Sequence, residues 1–283
     1  MFLSAKDFLQ LPEKRITLMG MSGVGKTHLA GKLMHEDWFH YAADYRIGTR
    51  YLAEPILDNI KEQMMQVPFL RDLLLTDSIY LNHNMTFQNL KPISSFLGKI
   101  GNPERGGLPW AEFKKRQQLH RQAEMNAMRD VPDFIEKSKH IYGYKHFIND
   151  ASGSLCELDD EDTLSSLAKH TLIIYIQATP EDETRLITRA QLHPKPLYYR
   201  EKFLEEQLGI YMKEYGLNYL ALINPDDFVR WVFPKLFYAR LPRYQSITNQ
   251  YGYALPASQL LQLKNANDFV ECIAHILSQD KRV

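Results

Sequence analysis

One short segment of the chain has the spacing of a phosphate-binding loop. Residues 20–27 read Gly-Met-Ser-Gly-Val-Gly-Lys-Thr, which fits G-x-x-x-x-G-K-[ST] at every fixed position. An apolar run at residues 16–19 precedes the loop, and helix-forming residues follow it. Because glycine has no Cβ, backbone N–H groups in such a loop can closely approach the oxygens of a triphosphate. The segment therefore predicts a nucleotide-binding site between a strand and a helix. A glycine-rich turn without a ligand is the alternative.

The residues of this loop have separate expected roles. The first amides of the following helix should point at the phosphates, and Lys26 should reach the β and γ oxygens. The Thr27 hydroxyl is placed to ligate Mg²⁺. ATP and Mg²⁺ are thus the expected cofactors. The residues predicted to bind the nucleotide are Gly20, Met21, Ser22, Gly23, Val24, Gly25, Lys26, Thr27 and His28.

Two carboxylates follow predicted strands. Asp150 could hold a magnesium-bound water opposite Thr27, or it could cap the helix that begins near Ser154. Asp44 lies where open parallel sheets bind ligands, at the carboxyl end of a strand, but it could also form a turn.

Arginines supply candidate contacts for phosphate groups. Arg185 and Arg189 are one turn apart on one face of a predicted helix, which is a plausible clamp. The alternative for Arg189 is an exposed helix charge. Arg240 comes two residues before Pro242, which is expected to stop the helix and leave Arg240 at an end facing the cleft.

The elements that must position these groups alternate between strand and helix. Strands are predicted at residues 16–19, 38–43, 145–149, 171–178 and 251–255. This alternation predicts an α/β three-layer sandwich with a mostly parallel five-stranded sheet. Residues 172–176, Leu-Ile-Ile-Tyr-Ile, are typical of a central strand buried on both faces.

The chain is predicted to form a single domain, 1–283, with two additional segments. Residues 56–142 are mainly helical and exceed what a strand-to-strand crossover requires, so they are expected to form an insertion. This insertion could be a substrate lid or a docking surface for a protein partner. Residues 180–203 combine a charged helix with Pro194 and Pro196, which suits a mobile lid over the nucleotide.

Composition excludes several classes of function. The 34 basic side chains are balanced by 34 acidic ones, so no net positive charge favours nucleic acid binding. No stretch approaches the roughly 18 apolar residues of a membrane span. Cys156 and Cys272 lack metal-ligand spacing and are expected to be buried. We therefore expect a cytoplasmic protein that binds neither nucleic acid nor membrane.

Two classes of protein with this loop lose support from the rest of the chain. The N-K-x-D element that recognises guanine in GTPases does not occur. In motor-type ATPases, an apolar strand ends in Asp-Glu. Residues 146–150 are partly polar, and no Glu follows Asp150.

The chain resembles the shikimate kinase and nucleoside monophosphate kinase group of P-loop phosphotransferases. The features that carry the resemblance are the phosphate-binding loop, Asp44, residues 174–180, Arg189 with Pro196 and Leu197, and the segment Arg240-x-Pro-x-Tyr244.

The resemblance implies transfer of the γ-phosphoryl group of ATP to a small hydroxyl- or phosphate-bearing acceptor under a closing lid. Besides Lys26, it implies three catalytic residues. Arg189 would meet the transferring phosphates, Arg240 would hold an anionic acceptor, and Asp44 would assist magnesium and the acceptor hydroxyl.

The sequence departs from this group at several places. Arg243 replaces the leucine of R-x-P-L-Y, Lys195 stands where an arginine is expected, and small shikimate kinases have no counterpart to residues 56–142. The acceptor is therefore not predicted. One alternative function is an ATPase that signals to a protein partner through the insertion, and another is a module that binds nucleotide without turnover.

Overall fold

The computed structural model describes residues 3–260, 262–280 and 282, and it contains a five-stranded parallel sheet. The strands are β1 Arg15–Met19, β2 Trp38–Ala42, β3 His146–Asp150, β4 Leu172–Gln177 and β5 Gly252–Pro256. They lie in the order β2-β3-β1-β4-β5, and every pairing is parallel. The predicted α/β fold with a five-stranded sheet is confirmed.

Helices make up most of the remaining described chain. They are α1 Ala5–Gln10, α2 Lys26–Leu33, α3 Ala43–Arg46, α4 Ala53–Met64, α5 Pro68–Leu75, α6 Lys91–Leu97, α7 Trp110–Arg129, α8 Val131–His140, α9 Glu161–His170, α10 Pro180–Leu192, α11 Glu201–Glu214, α12 Pro225–Tyr251, α13 Ala257–Leu260 and α14 Ala266–Gln279. A π-helical segment covers Ile47–Tyr51, and short 3-10 helices cover Pro103–Arg105, Leu155–Glu157 and Leu220–Leu222.

The chain divides into two compact units. The first comprises Met1–Ala43, Glu124–Pro194 and Arg230–Val283, and it contains all five strands. The second comprises Asp44–Ala123 and Lys195–Val229. It includes much of the predicted insertion and also the end of the predicted lid. The assignment of residues 56–142 as an insertion and of 180–203 as a lid stays a prediction.

The central strands are buried because their sequences are apolar on both faces. Ile16 and Leu18 of β1, like Ile173 and Ile174 of β4, are fully buried. One polar pair is enclosed with them: the hydroxyl oxygens of Thr17 and Thr171 lie 2.8 Å apart, within hydrogen-bond distance. Hydrogen bonding of this kind removes most of the penalty for burying a hydroxyl.

Helix α12 corrects one expectation. Pro242 was expected to end the helix that carries Arg240, but the helix continues to Tyr251 and also contains Pro234. An interior proline removes one backbone donor and destabilises a helix by about 3 kcal/mol. Tertiary packing overrides this preference, because one side of the helix lies in the core. The nearly inaccessible residues on that side are Val232, Leu236, Phe237 and Tyr244.

His146, at the start of β3, is expected to make stability depend on pH. Its Nδ1 accepts a hydrogen bond from the backbone N–H of Lys14 at 3.0 Å, which requires an unprotonated nitrogen. Burial, followed by the positive charges of Lys14 and Lys145, lowers the pKa of His146 below its ordinary value. In the window just below the unfolded-state pKa, the unfolded chain therefore binds more protons than the folded one.

We expect the melting temperature to fall as the pH drops from about 7.5 to about 5.5, through the unfolded-state histidine pKa of about 6.5. Thermal unfolding followed by circular dichroism measures this drop. In His146→Gln, which cannot titrate here, the drop should be smaller. An identical drop in both proteins would assign the pH dependence to other groups.

Candidate nucleotide-binding site

The predicted loop connects the end of the central strand β1 to the start of α2. Gly20, Gly23 and Gly25 all have positive φ, at 146°, 94° and 105°. A Cβ on Gly20 would lie only 2.6 Å from the carbonyl oxygen of Ile176 in β4. Glycine is therefore required there both by the backbone conformation and by the close approach of the neighbouring strand.

Lys26 is the first residue of α2, and its side chain turns back into the loop. The side chain is buried, and Nζ donates to the carbonyl oxygens of Gly20 at 2.7 Å and of Met21 at 3.2 Å. Gly25, the N-cap residue, has no side chain that could satisfy the first amides of α2. These amides and the ammonium group together form a site suited to an anion.

The other residues predicted to contact the nucleotide divide into exposed and buried positions, and their contacts stay predictions. Ser22, Gly23, Thr27 and His28 are exposed, whereas Met21 and Val24 are buried and anchor the loop to the core. The loop thus offers backbone and hydroxyl groups outward, as binding of a polyanion requires.

Two arginines of α10 lie against the outer side of the loop. Arg189 donates from Nη2 to the carbonyl oxygen of Ser22 at 3.3 Å, and Arg185 donates to that of Gly23 at 3.5 Å. A Cβ on Gly23 would lie 2.6 Å from Nη2 of Arg189. The structure therefore brings the predicted arginine pair and the predicted loop together, while their roles toward phosphate stay predictions.

A capping box at the start of α10 sets the direction of this helix. The Thr179 side chain accepts from the Asp182 amide at 3.2 Å, and the Asp182 carboxylate accepts from the Thr179 amide at 3.1 Å. Asp182 also pairs with Arg185 at 2.5 Å. Burial opposes ionisation of Asp182, but hydrogen bonds from Thr179 and Arg185 outweigh it and lower its pKa. Asp182 thus stays charged at neutral pH and orients Arg185.

Asp150 ends β3 at the same edge of the sheet as the phosphate-binding loop. It is paired in register with Leu18 of the neighbouring strand β1, and its side chain is 7% exposed. His40 Nε2 of β2 lies 3.6 Å from its Oδ2. The alternative role of Asp150 as a helix cap is wrong, because the short helix Leu155–Glu157 has Ser154 as its N-cap residue.

The segment after Asp150 packs directly on the phosphate-binding loop. A Cβ on Gly153 would lie 2.8 Å from the backbone nitrogen of Ser22. The two loops therefore meet without room for a side chain, as expected where the carboxyl ends of parallel strands converge.

The donor set fits Mg²⁺ held mainly by phosphates. Within the described ranges, no group of three or more His, Cys, Asp or Glu side chains is arranged to hold a metal ion. Mg²⁺ at phosphate sites typically uses one or two protein ligands, several waters and the phosphate oxygens. Thr27 and Asp150 are sufficient for such a site, and both stay predicted ligands.

The Arg240 side chain is buried and makes hydrogen bonds to other parts of the protein. Its guanidinium donates to Glu157 at 3.2 Å and to the carbonyl oxygen of Gly153 at 3.0 Å, and both charged residues are at most 5% exposed. Tyr244 donates to the same carbonyl oxygen at 2.7 Å. This geometry fixes the segment after β3. The acceptor-binding role that the resemblance implied for Arg240 stays a prediction.

Removal of the Arg240 charge should destabilise the protein strongly. Arg240→Met would remove the positive charge that faces the buried carboxylate of Glu157, and breaking a buried ion pair typically lowers the free energy of unfolding by about 3–5 kcal/mol. Urea denaturation measures this loss. Adding Glu157→Gln to the same protein should restore part of the stability. A single variant as stable as the wild type would show that the pair contributes nothing to folding.

Sequence reasoning missed Glu124, a fully buried carboxylate in α7. The hydroxyls of Ser152 and Ser154 both donate to it, the second at 2.6 Å. The available signal was an acidic residue beside Ala123, since Phe113, Ala123 and Ala127 of this helix recur at helical spacing and are buried. The contact of His40 with Asp150 and the capping box of Thr179 and Asp182 were missed as well.

Two predicted features remain, Asp44 and the last part of the predicted lid, and both lie in the second unit. Asp44, in α3, is the first residue of that unit and is half-buried. Gln117 of α7 donates to the carbonyl oxygen of Leu197 at 3.1 Å and accepts from the Tyr199 amide at 2.9 Å. The last part of the predicted lid is therefore attached to the second unit.

Other expectations concern cysteines and membranes. Cys156 is buried as predicted, and burial raises the pKa of its thiol to about 12, so it stays protonated. The same expectation was wrong for Cys272, which is only half-buried. In the part of the chain that the structure describes, no helix combines the length and apolar character needed to cross a membrane.

The sheet and the loop define an α/β protein of the P-loop class. No family model matches the chain, and no curated protein matches it either. Shikimate kinase from Bacteroides thetaiotaomicron is a structural neighbour with 15% identity and a TM-score of 0.41, covering 94% of this chain and 97% of its own. Shikimate kinase from Acinetobacter baumannii in complex with shikimate is another structural neighbour, with 15% identity, a TM-score of 0.41 and 99% of each chain covered.

Proposed function

We propose that the protein is an ATP-dependent phosphotransferase that moves the γ-phosphoryl group to a small hydroxyl- or phosphate-bearing acceptor. The observation that carries this proposal is the arrangement around the phosphate-binding loop. Lys26 lies on its inner side, Arg185 and Arg189 lie on its outer side, and Asp150 ends the adjacent strand.

This arrangement suits phosphoryl transfer, which needs in-line positioning and positive charge around the migrating group rather than covalent catalysis. The amides of α2 and Lys26 would bind the phosphates of ATP. Arg189 is exposed and makes a long contact of 3.3 Å with a loop carbonyl, so its guanidinium can turn toward a phosphate at little cost. Asp44 would assist the acceptor hydroxyl.

Bound Mg²⁺ would supply charge neutralisation at the phosphates, with Thr27 and Asp150 as its protein ligands. The capping box at the start of α10 would keep Arg185 and Arg189 directed at the loop. Water exclusion would come from movement of α10, in keeping with the predicted lid.

The alternative is an ATPase that couples hydrolysis to a signal for a protein partner. The supporting observation is α5, an apolar helix in the second unit with no buried residue, in which Phe69 is 70% exposed and Leu75 68% exposed. Exposed apolar surface of this kind commonly marks protein interaction sites.

Turnover experiments separate the two functions. ATP consumption should be rapid only when a fractionated metabolite pool is added, and mass spectrometry should then find a phosphorylated product. Slow hydrolysis that needs no acceptor and rises with a protein partner would favour the ATPase. If calorimetry on folded protein detects no binding of ATP or GTP with Mg²⁺, both proposals fail.

A further inference from the structure

Glu124 links helix α7 to the segment that follows β3. Its side chain has no exposed surface, yet it accepts hydrogen bonds from the hydroxyls of Ser152 and Ser154, the second at 2.6 Å. The two serine hydroxyls also lie 3.1 Å apart. One carboxylate therefore holds the serines on both sides of Gly153.

The same segment is held at its middle by other groups. The Gly153 carbonyl oxygen accepts from Arg240 Nη1 at 3.0 Å and from the Tyr244 hydroxyl at 2.7 Å. Arg240 is in turn paired with Glu157. Residues 152–154 are thus held by three side chains. Glu124 binds the hydroxyls of the two serines, and Arg240 and Tyr244 bind the backbone carbonyl between them.

This fixed segment reaches the phosphate-binding loop directly. Gly153 approaches Ser22 so closely that a Cβ there would lie 2.8 Å from the Ser22 nitrogen. At its other end the segment begins with Asp150, whose neighbour Ala151 donates to the Leu18 carbonyl oxygen at 3.1 Å. A shift of the segment would therefore change the position of the Ser22 amide and of the Asp150 carboxylate.

We infer that Glu124 is a positioning residue, which acts through Ser152 and Ser154 to hold Asp150 and the phosphate-binding loop in register. This inference rests on the proposed function, since Asp150 is taken there as a magnesium ligand. Residues that orient metal ligands from behind typically change metal affinity or activity by 10- to 100-fold when they are replaced.

A purely structural role explains Glu124 less well. A buried carboxylate must be desolvated, and well-packed apolar residues at such positions are often as stabilising or more so. The carboxylate is better explained by the two hydroxyls that it orients beside the nucleotide site.

Glu124→Gln tests the inference with little change in shape. Each serine hydroxyl now donates to a different carboxylate oxygen. In glutamine one of these oxygens becomes an NH₂ donor, so one serine hydroxyl must turn and accept instead. In calorimetry, the gain in ATP affinity on adding Mg²⁺ should be about 10-fold smaller in this variant than in the wild type. ATP affinity in the presence of EDTA should change little. Hydrogen exchange of a peptide that contains residues 151–155 should accelerate.

A matched control removes buried hydrogen bonds elsewhere. Thr171→Val loses both the contact with Thr17 and the hydrogen bond to the Leu167 carbonyl oxygen, just before the start of β4. It should lower the melting temperature but leave the Mg²⁺ dependence and the exchange of residues 151–155 unchanged. Should Glu124→Gln not fold, the double variant Ser152→Ala, Ser154→Ala removes the same hydrogen bonds from the other side.

The outcomes separate this inference from the proposed function. If the wild-type protein binds no ATP with Mg²⁺, the proposed function fails and the inference fails with it. If the wild type binds ATP with Mg²⁺ and Glu124→Gln or the double serine variant retains both the wild-type Mg²⁺ dependence and the wild-type exchange, only the inference is overturned. A parallel change in Thr171→Val would also overturn it.

Discussion

Lys26→Ala is expected to reduce ATP turnover by about 100-fold or more and to weaken ATP binding, because it removes the one ammonium group inside the phosphate-binding loop. Nζ of Lys26 lies within 2.7 Å and 3.2 Å of two loop carbonyl oxygens, so its charge is already directed to the place where the phosphates would bind. Charge-assisted contacts of a desolvated ammonium with phosphate oxygens are about twice as strong as neutral hydrogen bonds.

Lys32→Ala is the matched control for this change. Lys32 belongs to the same helix, α2, but its side chain is exposed, so its loss should leave both turnover and affinity near the wild-type values. Calorimetric titration with ATP and Mg²⁺ and initial-rate measurements compare the three proteins. Wild-type affinity in Lys26→Ala would remove the basis for a nucleotide site. Lys26 also holds the loop through its hydrogen bonds to Gly20 and Met21. Circular dichroism and the melting temperature of Lys26→Ala are therefore measured as well, to show that this variant is folded.

The fold was predictable where local sequence determines local structure. Residues 172–176 are apolar without alternation, and a strand buried on both faces is the arrangement that removes all of them from water. The phosphate-binding loop is likewise encoded locally, because its three glycines with positive φ and its lysine all lie within residues 20–26. The order of the strands could not be predicted, since it depends on contacts between distant segments.

The site was predictable only in its local parts. Glu124 and Ser152 are 28 residues apart, and Arg240 and Gly153 are 87 apart, so no spacing rule connects them. The expected helix end at Pro242 was wrong for a related reason. Packing of distant residues around α12 outweighs the local preference of proline. The capping box at Thr179 and Asp182, by contrast, is local and could have been found from the sequence.

Asp150→Asn is expected to lower Mg²⁺-dependent turnover by about 100-fold, in line with the loss of other charged groups that stabilise a transition state. Asparagine keeps the size of the side chain and its place in β3, but its neutral amide binds Mg²⁺, or a water bound to it, less strongly than a carboxylate does. The position is suited to this role because Asp150 is paired in register with Leu18, at the end of β1 that leads into the loop.

Initial rates measured over a range of Mg²⁺ concentrations test this expectation. A higher Mg²⁺ requirement in Asp150→Asn, together with unchanged ATP binding in EDTA, would identify the carboxylate as part of the metal site. Asp162→Asn, an exposed position in α9, is the control and should behave as the wild type. Since His40 lies 3.6 Å from Asp150, His40→Asn should give a smaller change in the same direction. Normal turnover and normal Mg²⁺ dependence in Asp150→Asn would leave its contact with His40 as its main role, and Mg²⁺ would then have to be held by Thr27 and the phosphates alone.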